Sequence, residues 1–319
     1  MELIRGWHNL RTRHRGCVAT IGNFDGVHRG HQAVLARLAE EARRYRLPAT
    51  VITFEPQPLE YLRPQAAPAR LPELRSKLQA LQDHGVDRVL CLRFGQQLAE
   101  TPAETFIDEL LVERLGVRFL MVGDDFRFGH GRRGDYAMLQ AAGERQGFAV
   151  ERMPTVLDGG VRVSSTGIRQ ALAAGELAQA ARLLGRPYRI CGRVVRGQAL
   201  GRQLGYPTAN IAFHRPPPPL EGIFVVRVGG LDRPRPGVAS IGTRPTVNGT
   251  RTLLEVYLFD FSGNLYGRHL DVEFLQRLRS EQRFDSLEAL RAQMDLDAAA
   301  ARDYFSAFGA GLQEQDDRT

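Results

Sequence analysis

The chain is 319 residues long, 43% hydrophobic and 25% charged, with a formal net charge of +7; this supports about two packed domains and excludes a disordered chain. No apolar run approaches the roughly 18 residues of a membrane span, and Met1 to Leu10 is charged and lacks a signal-peptide core, so a cytoplasmic location with no membrane partner is expected. The three cysteines, Cys17, Cys91 and Cys191, lack CxxC or metal-ligand spacing and read as small buried residues of a reducing compartment, while the basic excess suits either a nucleic-acid surface or polyanionic small molecules.

From residue 18 to about 183, short apolar runs alternate with helical patterns, as in a doubly wound parallel α/β sheet. The candidate strands are Val18 to Asn23, Thr50 to Phe54, Arg88 to Leu92, Phe119 to Gly123 and Ala149 to Met153. Between the first two, Val34, Leu35, Leu38, Ala42 and Tyr45 form an apolar helix stripe with Glu40, Glu41, Arg43 and Arg44 opposite. Helical stretches from Ile168 to Ala174 and Glu176 to Leu184 run to Gly185-Arg186-Pro187, a stop and linker that ends a first domain at 1–185.

After Tyr188 the β-rich runs Ile190 to Val195, Ile223 to Val228, Val238 to Ile241, Leu253 to Phe259 and Leu270 to Phe274 alternate with Gly and Pro clusters. They predict a compact antiparallel barrel in a second domain, 186–312. Arg215-Pro216-Pro217-Pro218-Pro219 reads as a stiff surface segment. Ser286 caps a helix carrying Leu287, Leu290 and Met294; a second helix runs from Asp297 to Phe308, and the tail 313–319 frays.

The chemistry concentrates in a few segments. Gly22-Asn23-Phe24-Asp25-Gly26-Val27-His28-Arg29-Gly30-His31 ends the first strand and opens the first helix. Gly26 and Gly30 permit close backbone approach, and the helix start aims unsatisfied N–H groups and a positive dipole end at whatever lies in front. His28 and His31 fall on one face of the first turn, able to donate hydrogen bonds to phosphate oxygens as charge develops. A single histidine here would read as a cap; the pair in this context points to attack on the α-phosphorus of ATP.

Arg162-Val163-Ser164-Ser165-Thr166-Gly167-Ile168-Arg169 sets hydroxyls at a helix start between arginines, which fits ATP phosphates or an ordinary cap. In Val122-Gly123-Asp124-Asp125-Phe126-Arg127-Phe128-Gly129, the two aromatics suit stacking on a flat ring or a place in the core. Gly129-His130-Gly131-Arg132-Arg133-Gly134 spells GxGxxG, but it follows a late strand through a polar loop and reads as a decoy.

In the second half, Gly197, Gly201 and Gly205 space a loop that runs into Tyr206-Pro207-Thr208-Ala209-Asn210. Its backbone amides can surround phosphates without any Walker sequence. On a strand, Thr208 and Asn210 point to one side and offer oxygens to Mg²⁺ on ATP phosphates; a Pro-Thr-x-Asn turn is the competing reading. Glu255 interrupts a strand whose Leu254, Val256 and Leu258 share the other face, a place where glutamate usually meets solvent.

The His-x-Gly-His segment resembles the HxGH nucleotidyltransferase superfamily. With Asn23-Phe24-Asp25-Gly26-Val27 ahead of it, and with the glycine loop and Pro-Thr-Ala-Asn behind, the chain resembles the bacterial bifunctional riboflavin kinase/FAD synthetase family over nearly its whole length. The resemblance implies a Rossmann-like nucleotidyltransferase domain followed by an antiparallel β-barrel kinase domain with terminal helices. Its chemistry would be ATP-dependent phosphorylation of riboflavin to FMN, then adenylylation of FMN to FAD with release of pyrophosphate, with Mg²⁺ as cofactor. It implies catalytic roles for His28 and His31, ATP contacts for Gly22, Phe24, Asp25, Gly26, Gly30, Arg162, Ser165, Thr166 and Arg169, and flavin contacts for Asp125, Phe126 and Phe128.

In the barrel the resemblance implies Glu255 as general base, with Gly197, Gly201, Gly205, Thr208 and Asn210 on ATP. Thr208 and Asn210 would also be the metal ligands, and Gly222, Phe224, Arg279 and Phe284 would take the flavin. Gly237 to Val247 also matches, as do Leu265-Tyr266-Gly267 and Arg279 to Phe284, the last two as flavin-side flaps. The chain departs at Gln57, where many members carry His, and at Asn264, commonly Asp; Gln57 is given no catalytic role. The implied partners are small molecules, with no nucleic acid and a monomer as default. Competing readings are a transferase of the same superfamily with another substrate, and a basic RNA-binding or flavin-sensing protein.

Overall fold

The computed structural model describes residues 1–197, 200–213, 218–246 and 249–308. Contacts divide the chain into two compact units, Met1–Pro68 with Leu74–Ser165, and Ala69–Glu73 with Thr166–Thr319.

The first unit is built on a six-stranded sheet of β1 (Glu2–Arg5), β2 (Cys17–Ile21), β3 (Ala49–Phe54), β4 (Arg88–Leu92), β5 (Val117–Gly123) and β6 (Ala149–Met153), in the order β1-β4-β3-β2-β5-β6. All neighbours are parallel. Parallel strands need cover on both faces, and the residues divide accordingly. Val18, Val51, Val89 and Met121 pack on one side with Leu35 and Leu38 of helix α1 (Arg29–Tyr45). Ala19, Ile52, Leu90 and Leu120 pack on the other with Phe106, Leu110 and Leu111. The last three lie in a π-helical stretch, Phe106–Arg114, that the sequence reading did not include.

Most of the α1 stripe is buried as expected, but Glu41 lies on it rather than opposite it. Its carboxylate is 2% exposed and pairs with Arg37 at 2.7 Å and Arg44 at 3.5 Å, so helix-neighbour arginines carry it inward. Further elements of this unit are helices α2 (Pro58–Leu62), α3 (Leu74–Asp83) and α4 (Tyr136–Gln146), and a small hairpin of β7 (Leu157–Asp158) and β8 (Val161–Arg162). Strand β1 was missed, because four residues beside a charged terminus leave no alternation to read.

In the second unit, helices α5 (Ser165–Ala174, of which all but Ser165 belong to this unit) and α6 (Leu177–Leu184) precede the barrel. Six strands, β9 (Arg189–Val195), β10 (Thr208–Ala212), β11 (Gly222–Gly229), β12 (Arg235–Thr246), β13 (Gly249–Leu258) and β14 (His269–Arg279), close in the order β10-β13-β12-β11-β14-β9. Every pairing is antiparallel. Alternate residues fill the interior, among them Phe224, Val226, Ala239, Ile241, Leu254, Val256 and Phe274.

The outer residues Val225, Val238 and Tyr257 pack instead against Ala298, Ala301, Tyr304 and Phe305 of helix α7 (Leu287–Phe308). The two C-terminal helices predicted from sequence are thus one. Nothing at Asp295-Leu296-Asp297 breaks the helix, and the alanines that follow favour it. Ser286 does cap it, its Oγ accepting from the Ala289 N–H at 3.1 Å. The proline segment falls partly, and the 313–319 tail wholly, outside the described residues.

Candidate active sites

In the first unit, β2 lies where the winding of the sheet reverses, with β3 on one side and β5 on the other, so a crevice opens at their carboxyl ends. The chain leaves β2 through a tightly coiled turn. Phe24 (φ 47°), Gly26 (φ 90°) and Val27 (φ 43°) are all left-handed. For Phe and Val that conformation costs about 1–3 kcal/mol each; both are buried, so packing sustains it.

His28 then caps α1, its Nδ1 accepting the His31 backbone N–H at 3.3 Å. That bond leaves Nε2 of a neutral His28 as the donor. The His28 and His31 rings stack at 3.6 Å, 14° from parallel, and a Cβ on Gly30 would come within 3.1 Å of the His28 ring. Burial, then the neighbouring His28 and Lys77, hold the His31 imidazole well below its ordinary range. His31 Nδ1 is buried without a hydrogen-bond partner.

Lys77, 1% exposed on α3, donates from Nζ to the Asn23 carbonyl at 2.9 Å and so braces the turn from behind. Ser165 Oγ donates to the Asp25 carbonyl at 2.8 Å, which joins the second motif to the first. Arg162 pairs with Asp125 at 2.9 Å and Asp124 at 3.6 Å. The Thr155 hydroxyl, with Arg162, keeps the Asp124 carboxyl low. Thr166 and Arg169 belong to the second unit, where Arg169 Nε donates to the Ala69 carbonyl at 2.6 Å.

Of the two aromatics expected to stack on a substrate, Phe128 is committed elsewhere. It is 8% exposed and packs on Phe106 and Phe126, each with centroids 5.6 Å away. Phe126 is only partly buried. The GxGxxG decoy forms a turn in which Phe128 bridges Gly134 and a 3-10 segment spans His130–Arg132, not a strand-to-helix phosphate loop. Gln57 was set aside on sequence grounds, yet it is 6% exposed at the start of α2 with its Nε2 buried and unpartnered. A polar residue just past an apolar strand was the available signal.

In the second unit, a cavity of about 530 Å³ lies on the outer face of the barrel beneath α7. Register assembles one wall of it. Glu255 on β13 sits opposite Asn210 on β10 and opposite Ser240 on β12, so these three share a face, with Thr208 two residues from Asn210; of the four, Glu255, Ser240 and Thr208 line the cavity. Leu254 and Val256 point inward on either side of Glu255, as the alternation predicted.

The glycines here are spatial necessities. A Cβ on Gly197 would strike the Asn210 amide, and one on Gly201 would strike the Tyr206 carbonyl oxygen. Gly205 has φ 90°. Asn210 is 6% exposed, and its Nδ2 makes a long contact of 3.4 Å to the Thr208 carbonyl. Tyr206 hydrogen-bonds Asp295; burial and then that carboxylate push its hydroxyl up to about 12.

The apolar part of the cavity lining includes Phe284, Leu287, Leu290 and Met294. Two predicted flavin residues do not line it. Phe224 is fully buried inside the barrel, edge-on to Phe274 at 5.3 Å, and Gly222 (φ 126°) exists because β14 passes so close that a Cβ would strike the Arg279 carbonyl. Arg279 does line it but is bound to Asp297. Of the expected flaps, Arg279 to Phe284 contributes to the wall, whereas Tyr266 is exposed and does not. Val247, in the matching 237–247 segment, is outside the described residues. Ser240 and Glu281 were missed. The Ser240 Oγ donates to Glu281 at 3.1 Å, and the Glu281 carboxylate fills the space where a Gly242 side chain would stand.

A FAD synthetase family model matches residues 10–167, and a riboflavin kinase family model matches residues 184–305. The bifunctional riboflavin kinase/FMN adenylyltransferase of Escherichia coli (strain K12) is 54% identical over 307 residues, which is 96% of this chain and 98% of that protein. Its namesake from Pseudomonas fluorescens is 57% identical over 303 residues, 95% and 97% of the two chains. Among solved structures, a macrolide-efflux protein from Streptococcus pneumoniae superposes with a TM-score of 0.81 at 31% identity, covering 95% of this chain and 99% of that one. Among the described residues here, no helix is long and apolar enough to cross a membrane.

Proposed function

Since the chain belongs to the bifunctional riboflavin kinase/FMN adenylyltransferase family, and so phosphorylates riboflavin to FMN and adenylylates FMN to FAD, we propose which residues perform each step. The observation that carries the reading is the row of Asn210, Glu255 and Ser240 across three barrel strands beside Thr208. It sets a carboxylate on the wall of a cavity that is also lined by the apolar Phe284, Leu287, Leu290 and Met294.

In the kinase step, the riboflavin ring lies beside Phe284, Leu290 and Met294. Glu255 accepts the proton of the ribityl 5′-hydroxyl, whose oxygen attacks the γ-phosphorus of ATP while ADP departs. The glycine loop through Gly197, Gly201 and Gly205 holds the nucleotide phosphates. Thr208 and Asn210 offer two neutral oxygens on one face, a donor set suited to a hard cation already held by phosphates, so they would hold Mg²⁺. Bound there, the ion would supply neutralisation of phosphate charge.

In the adenylyl step, the FMN phosphate attacks the α-phosphorus of a second ATP and pyrophosphate leaves. No strong base is needed, because a phosphate monoester is largely dianionic at neutral pH. Catalysis is positioning and charge neutralisation. His28 donates from Nε2, the α1 amides and His31 line the turn, and Gly22, Phe24, Asp25, Gly26 and Gly30 shape it. Ser165 and Arg162 hold phosphates, and Phe126 and Asp125 border the flavin. We assign residues 1–185 to adenylyl transfer and 186–312 to the kinase, in a cytoplasmic monomer that binds no nucleic acid.

The test is chromatography of flavins after incubating the full chain with riboflavin, Mg²⁺ and ATP. Wild type is expected to give FMN and then FAD, Glu255→Gln no FMN, and His31→Ala FMN without FAD. FMN formation by Glu255→Gln at the wild-type rate would remove the assigned base.

A further inference from the structure

We propose that the Arg279–Asp297 ion pair is a positioning element that seats the apolar wall of the riboflavin pocket, and that Arg279 itself does not touch the flavin. The inference rests on the assignment of this cavity to the kinase reaction.

Helix α7 has two differently employed halves. Its C-terminal half supplies Ala298, Ala301, Tyr304 and Phe305 to the core against the barrel. Its N-terminal half supplies Leu287, Leu290 and Met294 to the cavity, and Leu287 remains 52% exposed. The wall is therefore an extension of a helix anchored farther along, and its position depends on what fixes the helix at the junction. Asp297 stands at that junction.

The pair is built for such a task. Arg279 Nε and Nη2 donate to the Asp297 carboxylate at 2.9 and 2.7 Å, a bidentate fork that sets orientation as well as distance. Nη1 donates to the Ser280 carbonyl at 3.0 Å, so each guanidinium nitrogen is engaged. The second lone-pair demand of Asp297 is met by Gln293 Nε2, one turn back on the helix, at 3.0 Å. The side chains are 16% and 9% exposed. The Arg279 backbone is itself fixed, since its carbonyl lies against Gly222. Arg279 lines the cavity, but with all three nitrogens and its backbone engaged it is placed to hold a helix to a strand rather than to turn toward a substrate. On the other side of the helix, Tyr206 ties Asp295 to the start of β10, two residues before Thr208.

Steady-state riboflavin phosphorylation by the full chain at saturating ATP tests this. Asp297→Asn and Arg279→Met should each raise the KM for riboflavin about tenfold, equivalent to about 1.4 kcal/mol, with kcat and the KM for ATP within about twofold. The double variant should be no worse than the poorer single, because both remove one interaction. Arg279→Lys, which keeps the charge but loses the fork, should fall between. Multiplying effects, or a KM raised by Arg279→Met and unmoved by Asp297→Asn, would make Arg279 a direct flavin ligand and overturn the proposal. Equal losses in kcat and in ATP binding would overturn it too, by making the pair a general strut. Should the singles not fold, Asp297→Glu moves the carboxylate by one methylene without stranding a charge; a riboflavin KM unchanged in it again refutes the role. A wild-type chain that leaves riboflavin unphosphorylated would instead remove the kinase assignment of the cavity.

Discussion

In the parallel sheet the candidate site is written along the chain: ten consecutive residues from Gly22 to His31 supply the turn, the cap and both imidazoles. In the barrel it is written across the chain, because Asn210, Ser240 and Glu255 meet only through the register of three antiparallel strands. The first arrangement tolerates changes elsewhere in the sheet so long as the β2–α1 turn survives. The second depends on pairing, since a one-residue slip of β13 would send Glu255 inward and Leu254 or Val256 to the cavity.

Several variants would break or sharpen this contrast. Glu255→Gln should reduce FMN formation by about 10²–10⁴-fold while adenylylation of supplied FMN stays unchanged, checked by separate assays of each step. His31→Ala should reduce FAD formation by about 10²–10³-fold and leave riboflavin phosphorylation intact; equal loss of both activities would deny the two sites their independence. Gly201→Ala, which drives a methyl group into the Tyr206 carbonyl, should raise the kinase KM for ATP by about tenfold, or about 1.4 kcal/mol, without moving the KM for FMN.

The pH prediction concerns stability. His31 is depressed in the folded chain, so below the ordinary histidine range near 6.5 the unfolded chain binds a proton that the folded one does not. Its contribution to stability is therefore present above that range and is lost as pH falls, by up to about 1.4 kcal/mol per pH unit. Urea midpoints at pH 7.5 and 5.5 should differ less in His31→Gln than in wild type. The smallest effect expected is at Phe128: Phe128→Leu should cost about 1 kcal/mol of stability and leave the KM for FMN alone, whereas Phe126→Ala should raise it.

What the sequence made legible follows the same division. Contiguous features were readable: the β2–α1 turn, the strands with strong apolar runs, the Ser286 cap and the alternation around Glu255. Features decided by tertiary partners were not. Phe128 looks like a ring-binding aromatic in its motif and Phe224 takes that role from the resemblance, and only packing reveals them as core. Arg279 looks like a free cation until Asp297, 18 residues away, is brought against it. Lys77 sits on an ordinary amphipathic helix, and nothing local marks an ammonium directed at the Asn23 carbonyl. Glu41 reads as solvent-facing because helix periodicity does not foresee a buried carboxylate paired with Arg37 one turn back.

The two sheets also meet the hazard of self-association differently. The barrel closes on itself, so among the described residues each of its strands has a neighbour on both sides, although the β12–β13 hairpin runs past its neighbours over its last turn. The open sheet has two edges, β1 and β6. The first is only four residues long and carries Glu2 and Arg5. The second bears Glu151, paired with Arg37 at 2.9 Å, and Arg152, which lies over the Tyr136 ring at 4.1 Å. Short length and fixed charges are what keep a foreign strand from docking on such edges. Neutralising Glu151 and Arg152 together would thus expose the first unit to strand-by-strand aggregation.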